Sequence, residues 1–140
     1  MTAARGIRII AASLAFALAL SAETLPPSDV KVAGAIDYGQ TSDELQYTGH
    51  PKYTALVFNG ESGDRIEVLV KGDRTAAVAI ADGTLHVLAT GSGHLAFTIP
   101  NHGSDPEAYY ILFRDAEGQG SRFTVELRKG ASKNDQRRSD

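Results

Sequence analysis

From Arg65 to Lys71 the chain alternates, with Ile66, Val68 and Val70 on one side and Glu67, Leu69 and Lys71 on the other. A two-residue period sends successive side chains to opposite faces, so this stretch predicts a strand with one buried face. Phe123, Val125 and Leu127 against Thr124, Glu126 and Arg128 repeat the pattern. Leu95, Phe97 and Ile99 give a third strand, stopped by Pro100, which has no N–H to give a ladder. Less regular apolar runs at Val32 to Tyr38, Tyr53 to Asn59, Ala76 to Ala81, Leu85 to Ala89 and Tyr109 to Arg114 bring the expected total to about eight strands. The Tyr-Tyr-Ile-Leu-Phe content of the last favours a strand over a helix.

Turn chemistry separates these runs. Asp82-Gly83 predicts a tight hairpin between Ile80 and Leu85, and Gly91-Ser92-Gly93 another before His94, because these residue types accept positive φ. With Gly91-Ser92 as a two-residue loop, His94 would pair with Ala89 and His86 with Phe97, placing the two imidazoles on opposite faces. Asn59-Gly60 with Ser62-Gly63-Asp64 predicts a longer corner, and Asp115 to Gly120 another. No later stretch carries a 3.6-residue apolar stripe. Strands at roughly ten-residue spacing predict an all-β fold, an antiparallel β-sandwich, rather than alternating strands and helices.

The first residues have the three parts of a cleaved signal peptide: Arg5 and Arg8, an apolar run from Ile9 to Leu20, and small Ser21 and Ala22. That run is short for a spanning helix, which needs about 20 apolar residues, so no membrane span is expected after processing. Residues 1–22 are assigned to the signal, 23–30 to an extended lead-in with Pro and Ser, 31–129 to the sandwich and 130–140 to a disordered charged tail. The chain has no Cys, so an exported domain must be held by burial alone, without disulfides or a lipidated cysteine. The whole-chain charge of −3 conceals an acidic body. Glu23 to Leu127 holds 7 basic and 15 acidic residues, while Arg128 to Asp140 holds 5 basic and 2 acidic. An acidic body argues against nucleic acid as its partner.

No catalytic, cofactor-binding or metal-binding constellation emerges from the motifs. His50, His86, His94 and His102 lie at no metal-ligand spacing. His102-Gly103-Ser104-Asp105 has the residue types of a nucleophilic triad, but Asn, Gly, Ser, Asp and Pro here are foremost turn formers. Carboxylate pairs at Asp43 and Glu44, Glu61 and Asp64, Asp105 and Glu107, and Asp115 and Glu117 fall in turns. Calcium held by separate loops is the one cofactor they leave open, and none is assigned. Tyr38, Tyr47, Tyr53, Tyr109 and Tyr110 can stack on sugar or peptide, yet aromatics in strands more often pack.

Several runs in order carry a resemblance: Gly34-Ala35-Ile36 with Tyr38-Gly39, Lys52-Tyr53 leading to Val57-Phe58, and Gly63-Asp64-Arg65-Ile66-Glu67-Val68. Ala81-Asp82-Gly83, Phe97-Thr98-Ile99-Pro100, Tyr109-Tyr110-Ile111-Leu112 and Phe123 to Leu127 continue it over nearly all of the chain after the signal. The chain thereby resembles the bacterial pre-peptidase C-terminal domain family. It departs from that pattern after Pro100, where Asn101 to Ala108 lengthen the approach to Tyr109. The resemblance implies a jelly-roll-like sandwich serving as a non-enzymatic accessory domain, with no catalytic residue of its own. Some members bind collagen or other extracellular polymers and some bind calcium, but no ligand-bearing motif matches here residue by residue. Similar sandwiches occur among periplasmic lysozyme inhibitors, whose loop resembles Ser-Gly-x-x-Tyr. Here Ser62-Gly63 leads to Asp64, Arg65 and Ile66, and Ser92-Gly93 to His94, Leu95 and Ala96, so that signature is absent.

These observations predict a secreted or periplasmic binding module that engages an extracellular or envelope protein or polysaccharide through loops or one sheet face. The alternative is an inhibitor of a secreted or periplasmic hydrolase. A small hydrolase using His102 and neighbouring acids is a third class.

Overall fold

The computed structural model describes residues 23–117 and 120–130; the expected signal peptide, and the expected tail beyond residue 130, lie outside the described residues. Ten strands follow a short 3-10 turn at Pro27–Asp29: β1 (Val30–Ala35), β2 (Gln40–Thr41), β3 (Leu45–Tyr47), β4 (Tyr53–Gly60), β5 (Arg65–Gly72), β6 (Ala76–Ala81), β7 (Val87–Ser92), β8 (His94–Thr98), β9 (Glu107–Asp115) and β10 (Ser121–Lys129). They form a sandwich of two mostly antiparallel sheets. The first sheet runs β1-β4-β9-β6-β7, and the second runs β8-β5-β10 with β2 and β3 along the far side of β10. Among the described residues only β1 with β4 is a parallel pair. Among the described residues no helix is long and apolar enough to cross a membrane.

The alternating strands sit where their pattern requires. Ile66, Val68 and Val70 of β5 and Phe123, Val125 and Leu127 of β10 point between the sheets. They meet Leu56, Phe58, Ile80, Ile111 and Phe113 from the first sheet. Phe113 and Phe123 touch edge to face, with centroids 5.8 Å apart, the arrangement that ring quadrupoles favour.

A second, smaller core covers the outer face of the first sheet. Ala55, Ala79, Ala81 and Leu112 are sealed there by Leu25, Leu85 and Val87. The lead-in is held like an added strand: Leu25 N–H donates to Leu85 O at 2.9 Å and Val87 N–H to Glu23 O at 2.8 Å. Ala76–Ala81 and Glu107–Asp115 therefore bury residues on both faces and lose the clean alternation of one-sided strands.

Four sequence expectations are corrected. Ten strands replace about eight, because β2 and β3, of two and three residues, are too short to show a period. The run starting at Leu85 becomes a strand only at Val87, since Leu85 itself has φ 65°. The Asp82 turn places its positive φ on Leu85, and Gly83 has none; the Asp82 carboxylate organises it by accepting from Thr84 N–H, Thr84 Oγ1 and His86 N–H. Finally, His94 does not pair with Ala89: β7 and β8 share the single pair Ser92 and His94 about Gly93 (φ 72°), then diverge into different sheets. His94 lies opposite Leu69 of β5, and Ala89 opposite Ile80 of β6. The glycine turn thus closes one flank of the sandwich instead of making a hairpin.

Candidate functional site

Strand β4 ends and β9 begins side by side, with Gly60 paired to Glu107, and β5 starts beside the end of β8, with Arg65 paired to Thr98. This register brings the Glu61–Asp64 corner against the Pro100–Pro106 loop. Two main-chain bonds fasten them: Gly63 N–H to Ile99 O at 3.0 Å and Ile99 N–H to Asp64 O at 2.8 Å. Side chains from both segments then brace the longer loop. Ser62 Oγ accepts from His102 N–H at 2.8 Å and donates to Gly103 O at 2.7 Å.

His102 is the centre of this brace. Its side chain is only 10% exposed and lies beside the Tyr109 ring at 6.1 Å. Nε2 stands 3.2 Å from Gly60 O; a carbonyl can only accept, so this nitrogen carries the proton. Nδ1 is buried without a hydrogen-bond partner, and Glu107 Oε1 lies 4.0 Å from it. Around this anchored ring, Asn101, Gly103, Ser104, Asp105, Pro106 and Glu107 remain exposed, as does Glu61. The corner is tied on its other side as well. Tyr38 Oη donates to Asp64 Oδ2 at 2.9 Å, and Lys129 Nζ stands 3.7 Å from Oδ1. Burial, reinforced by the Asp64 carboxylate, pushes the Tyr38 hydroxyl well above the usual tyrosine range.

The triad types found in the sequence are not arranged for nucleophilic attack. The serine that approaches His102 is Ser62, which the sequence marked only as part of a corner, and it bonds to the main chain of the loop instead of the ring. With Nε2–H donated to Gly60 O, Nδ1 is the basic nitrogen of the ring, and among the described residues no hydroxyl is hydrogen-bonded to it. Ser104 and Asp105 sit exposed on the loop. His86 Nδ1 contacts Thr24 Oγ1 at 3.0 Å and His94 Nε2 contacts Glu67 Oε2 at 3.0 Å. Among the described residues no three His, Asp or Glu side chains converge on a metal position. Each expected carboxylate pair instead meets a base: Glu44 with Arg122, Asp64 with Lys129, Glu107 with His102, and Asp115 and Glu117 with Arg74. Nor do the tyrosines form one platform. Tyr47 and Tyr109 are buried between the sheets, Tyr38 packs on Phe58, and Tyr53 and Tyr110 edge the outer core.

The opposite end carries a compact acidic centre with a structural task. Asp115 Oδ2 accepts from Ser121 Oγ at 2.6 Å, and Oδ1 accepts from Glu117 N–H at 2.9 Å. The Ser121 hydroxyl first, then the Glu117 amide, hold the carboxyl below the usual aspartate range. A depressed folded-state value means that stability is fully present above the ordinary aspartate range, about pH 4, and is lost as the pH falls through the lower folded value. Asp115→Asn is therefore expected to lower the melting temperature near neutrality and to flatten its decline between about pH 5 and pH 2. Thermal melts across that range check this; parallel curves for the two proteins would refute it.

No family model and no curated protein sequence matches the chain. Solved structures do. The chain shares its fold with a pre-peptidase C-terminal domain. That domain, from the collagenase of Bacillus anthracis, is similar with a TM-score of 0.52 at 13% identity, over 75% of this chain and 100% of that one. A periplasmic inhibitor of g-type lysozyme from Aeromonas hydrophila aligns with a TM-score of 0.50 at 12% identity, covering 72% of this chain and 99% of its own. The corresponding inhibitor from Salmonella Typhimurium gives 0.50 at 13% identity, over 71% and 98%. At such identities the likeness is one of fold.

Proposed function

We propose that this protein is a non-enzymatic binding module of the secreted or periplasmic fraction that engages a protein or polysaccharide through its Pro100–Pro106 loop and Glu61–Asp64 corner. The observation that carries this reading is the brace itself. An exposed loop anchored by a nearly buried histidine and a twice-bonded serine loses little conformational freedom on binding, which is how preorganised contacts gain affinity. Loops on a rigid β-scaffold are the usual place for such contacts. Glu61, Asp105 and Glu107 give this end exposed negative charge on an acidic body, which favours a basic partner surface and speeds encounter with it. The fold shared with a pre-peptidase C-terminal domain supports this reading, as do the sequence runs that resemble that family. The arginine-flanked apolar start of the chain and the periplasmic fold relatives support export.

A second reading, inhibition of a secreted or periplasmic hydrolase, is favoured by the two lysozyme inhibitors of the same fold. A braced acidic loop suits insertion into a basic cleft. One experiment treats both. The processed protein is tested for cosedimentation with collagen and cell-wall material, and for inhibition of a g-type lysozyme. The triple variant Glu61→Lys, Asp105→Lys, Glu107→Lys is run beside it. The expected result is binding of one partner that weakens at least about tenfold in the variant and falls with added salt. Inhibition selects the second reading and sedimentation without inhibition the first. Binding by the variant equal to that of the parent would overturn the loop assignment under either.

A further inference from the structure

The sandwich is closed on one flank and open on the other. At the closed flank the chain passes from β7 into β8 and the two sheets share the pair Ser92 and His94. At the open flank lie β1, whose one strand partner is β4, and β2 with β3, each paired with β10 alone. Neither edge is bonded to the other. Between them runs a slit made of two adjoining clefts of about 240 and 350 Å³, which share Ala33 and Leu45 in their walls. Its apolar lining includes Ile36, Leu45 and Leu56. Val32, 50% exposed and the one exposed large apolar side chain among the described residues, stands at its lip.

We propose that this slit receives an extended polypeptide segment as an added strand, the segment carrying apolar side chains alternating with Lys or Arg. The backbone decides the class of occupant. β1, paired on one side only, offers unpaired N–H and C=O groups along its free edge, and the short β2 and β3 add a few on the opposite wall; an extended peptide has donors and acceptors on both of its sides at the matching repeat. The side chains decide the composition. A strand turns alternate residues to opposite faces, so one set meets the Ile36, Leu45 and Leu56 lining. The other set reaches the mouth, where Asp43 and Glu44 are exposed on the β2–β3 side. Against these two acids the opposite wall sets the single charge of Lys31, and Arg122 approaches Glu44 at 3.6 Å from β10. These four charges balance one another, so the preference for cationic side chains on the incoming strand comes from the acidic body around the slit, 7 basic against 15 acidic residues from Glu23 to Leu127. Protected edges are normally covered or heavily charged; β1, with one lysine and a run of Val, Ala, Gly and Ala, is neither. The register shift between Val32 and Gly34 falls at Ala33, the residue common to both clefts.

The test uses the processed full chain and the peptide Val-Lys-Val-Lys-Val-Lys-Val as probe, followed by amide hydrogen exchange and fluorescence anisotropy. Binding is expected to protect amides of 30–35 and 40–47 while leaving the 100–106 loop unchanged. The same peptide methylated on alternate backbone nitrogens, and its Glu-for-Lys counterpart, are each expected to bind at least about tenfold more weakly. Gly34→Phe blocks the slit beside Leu56, from which a Cβ at position 34 lies 3.8 Å; it is expected to abolish binding. Because that variant also tests folding, Asp43→Lys with Glu44→Lys serves as a surface alternative and is expected to invert the preference between the two charged peptides. Four outcomes overturn the proposal: equal binding of the methylated peptide, protection elsewhere on the molecule, slit amides already protected in the free chain, or displacement of the probe by cell-wall oligosaccharide.

Discussion

Phe123→Ala is expected to cost about 3–5 kcal/mol of unfolding free energy, the range for removing a large aromatic from a packed interior. Phe123 is fully buried in β10 and meets Phe113 of the other sheet edge to face. That contact joins the two layers directly, so the cavity left behind cannot be filled by sliding one strand within its own sheet. Without cysteines there is no crosslink to hold the layers while they adjust. Denaturant unfolding should show the midpoint falling with little change in slope. A loss below about 1 kcal/mol would mean that the sheets do not meet at this residue in solution.

Gly72→Ala should be nearly as damaging for the opposite reason. Gly72 pairs with Phe123 at the end of β5, and a Cβ built on it would collide with the Arg122 carbonyl oxygen and the Phe123 ring. The carbonyl belongs to the backbone and cannot rotate away, so β5 must separate from β10. Overpacking of this kind costs about 1–3 kcal/mol and sometimes more. Gly34→Ala is the control, since its Cβ meets only Leu56 at an ordinary 3.8 Å. The two variants are compared by thermal melts. Equal melting temperatures would show that β10 does not approach β5 as described.

The outer core explains why some strands were easy to find and others were not. In β5 and β10 one face is buried and one is wet, so apolar and polar residues alternate and the strands can be placed without any structure. In β6 and β9 the second face is covered by Leu25, Leu85 and Val87. Ala77, Ala79 and Ala81 or Tyr110 and Leu112 then stand where polar residues would have marked the period. Whether a lead-in rich in proline will lie across a sheet depends on contacts some 60 residues away in sequence, such as Leu25 with Leu85.

The candidate site divides in the same way. The Gly63-Asp64 corner and the length of the loop after Pro100 were visible as turn chemistry. The partnership of Ser62 with His102 and Gly103 was not, because a lone serine in a corner has no signature until β4 and β9 are set in register. The Asp64 carboxylate takes the Tyr38 hydroxyl and approaches Lys129, partners 26 and 65 positions away that its own corner does not reveal.

The sequence by itself determined that the chain forms β-strands, that they pack in two layers, and that the stretch from Glu23 to Leu127 is acidic, because period, turn residues and charge are properties of near neighbours. Only the tertiary structure decided that Gly93 carries the chain from one sheet to the other, that His102 is a nearly buried brace, and that β1 faces β2 and β3 across an open slit. Each of those depends on which strand edges find one another, and backbone hydrogen bonds are alike for every residue, so side-chain order along the chain does not encode their pairing.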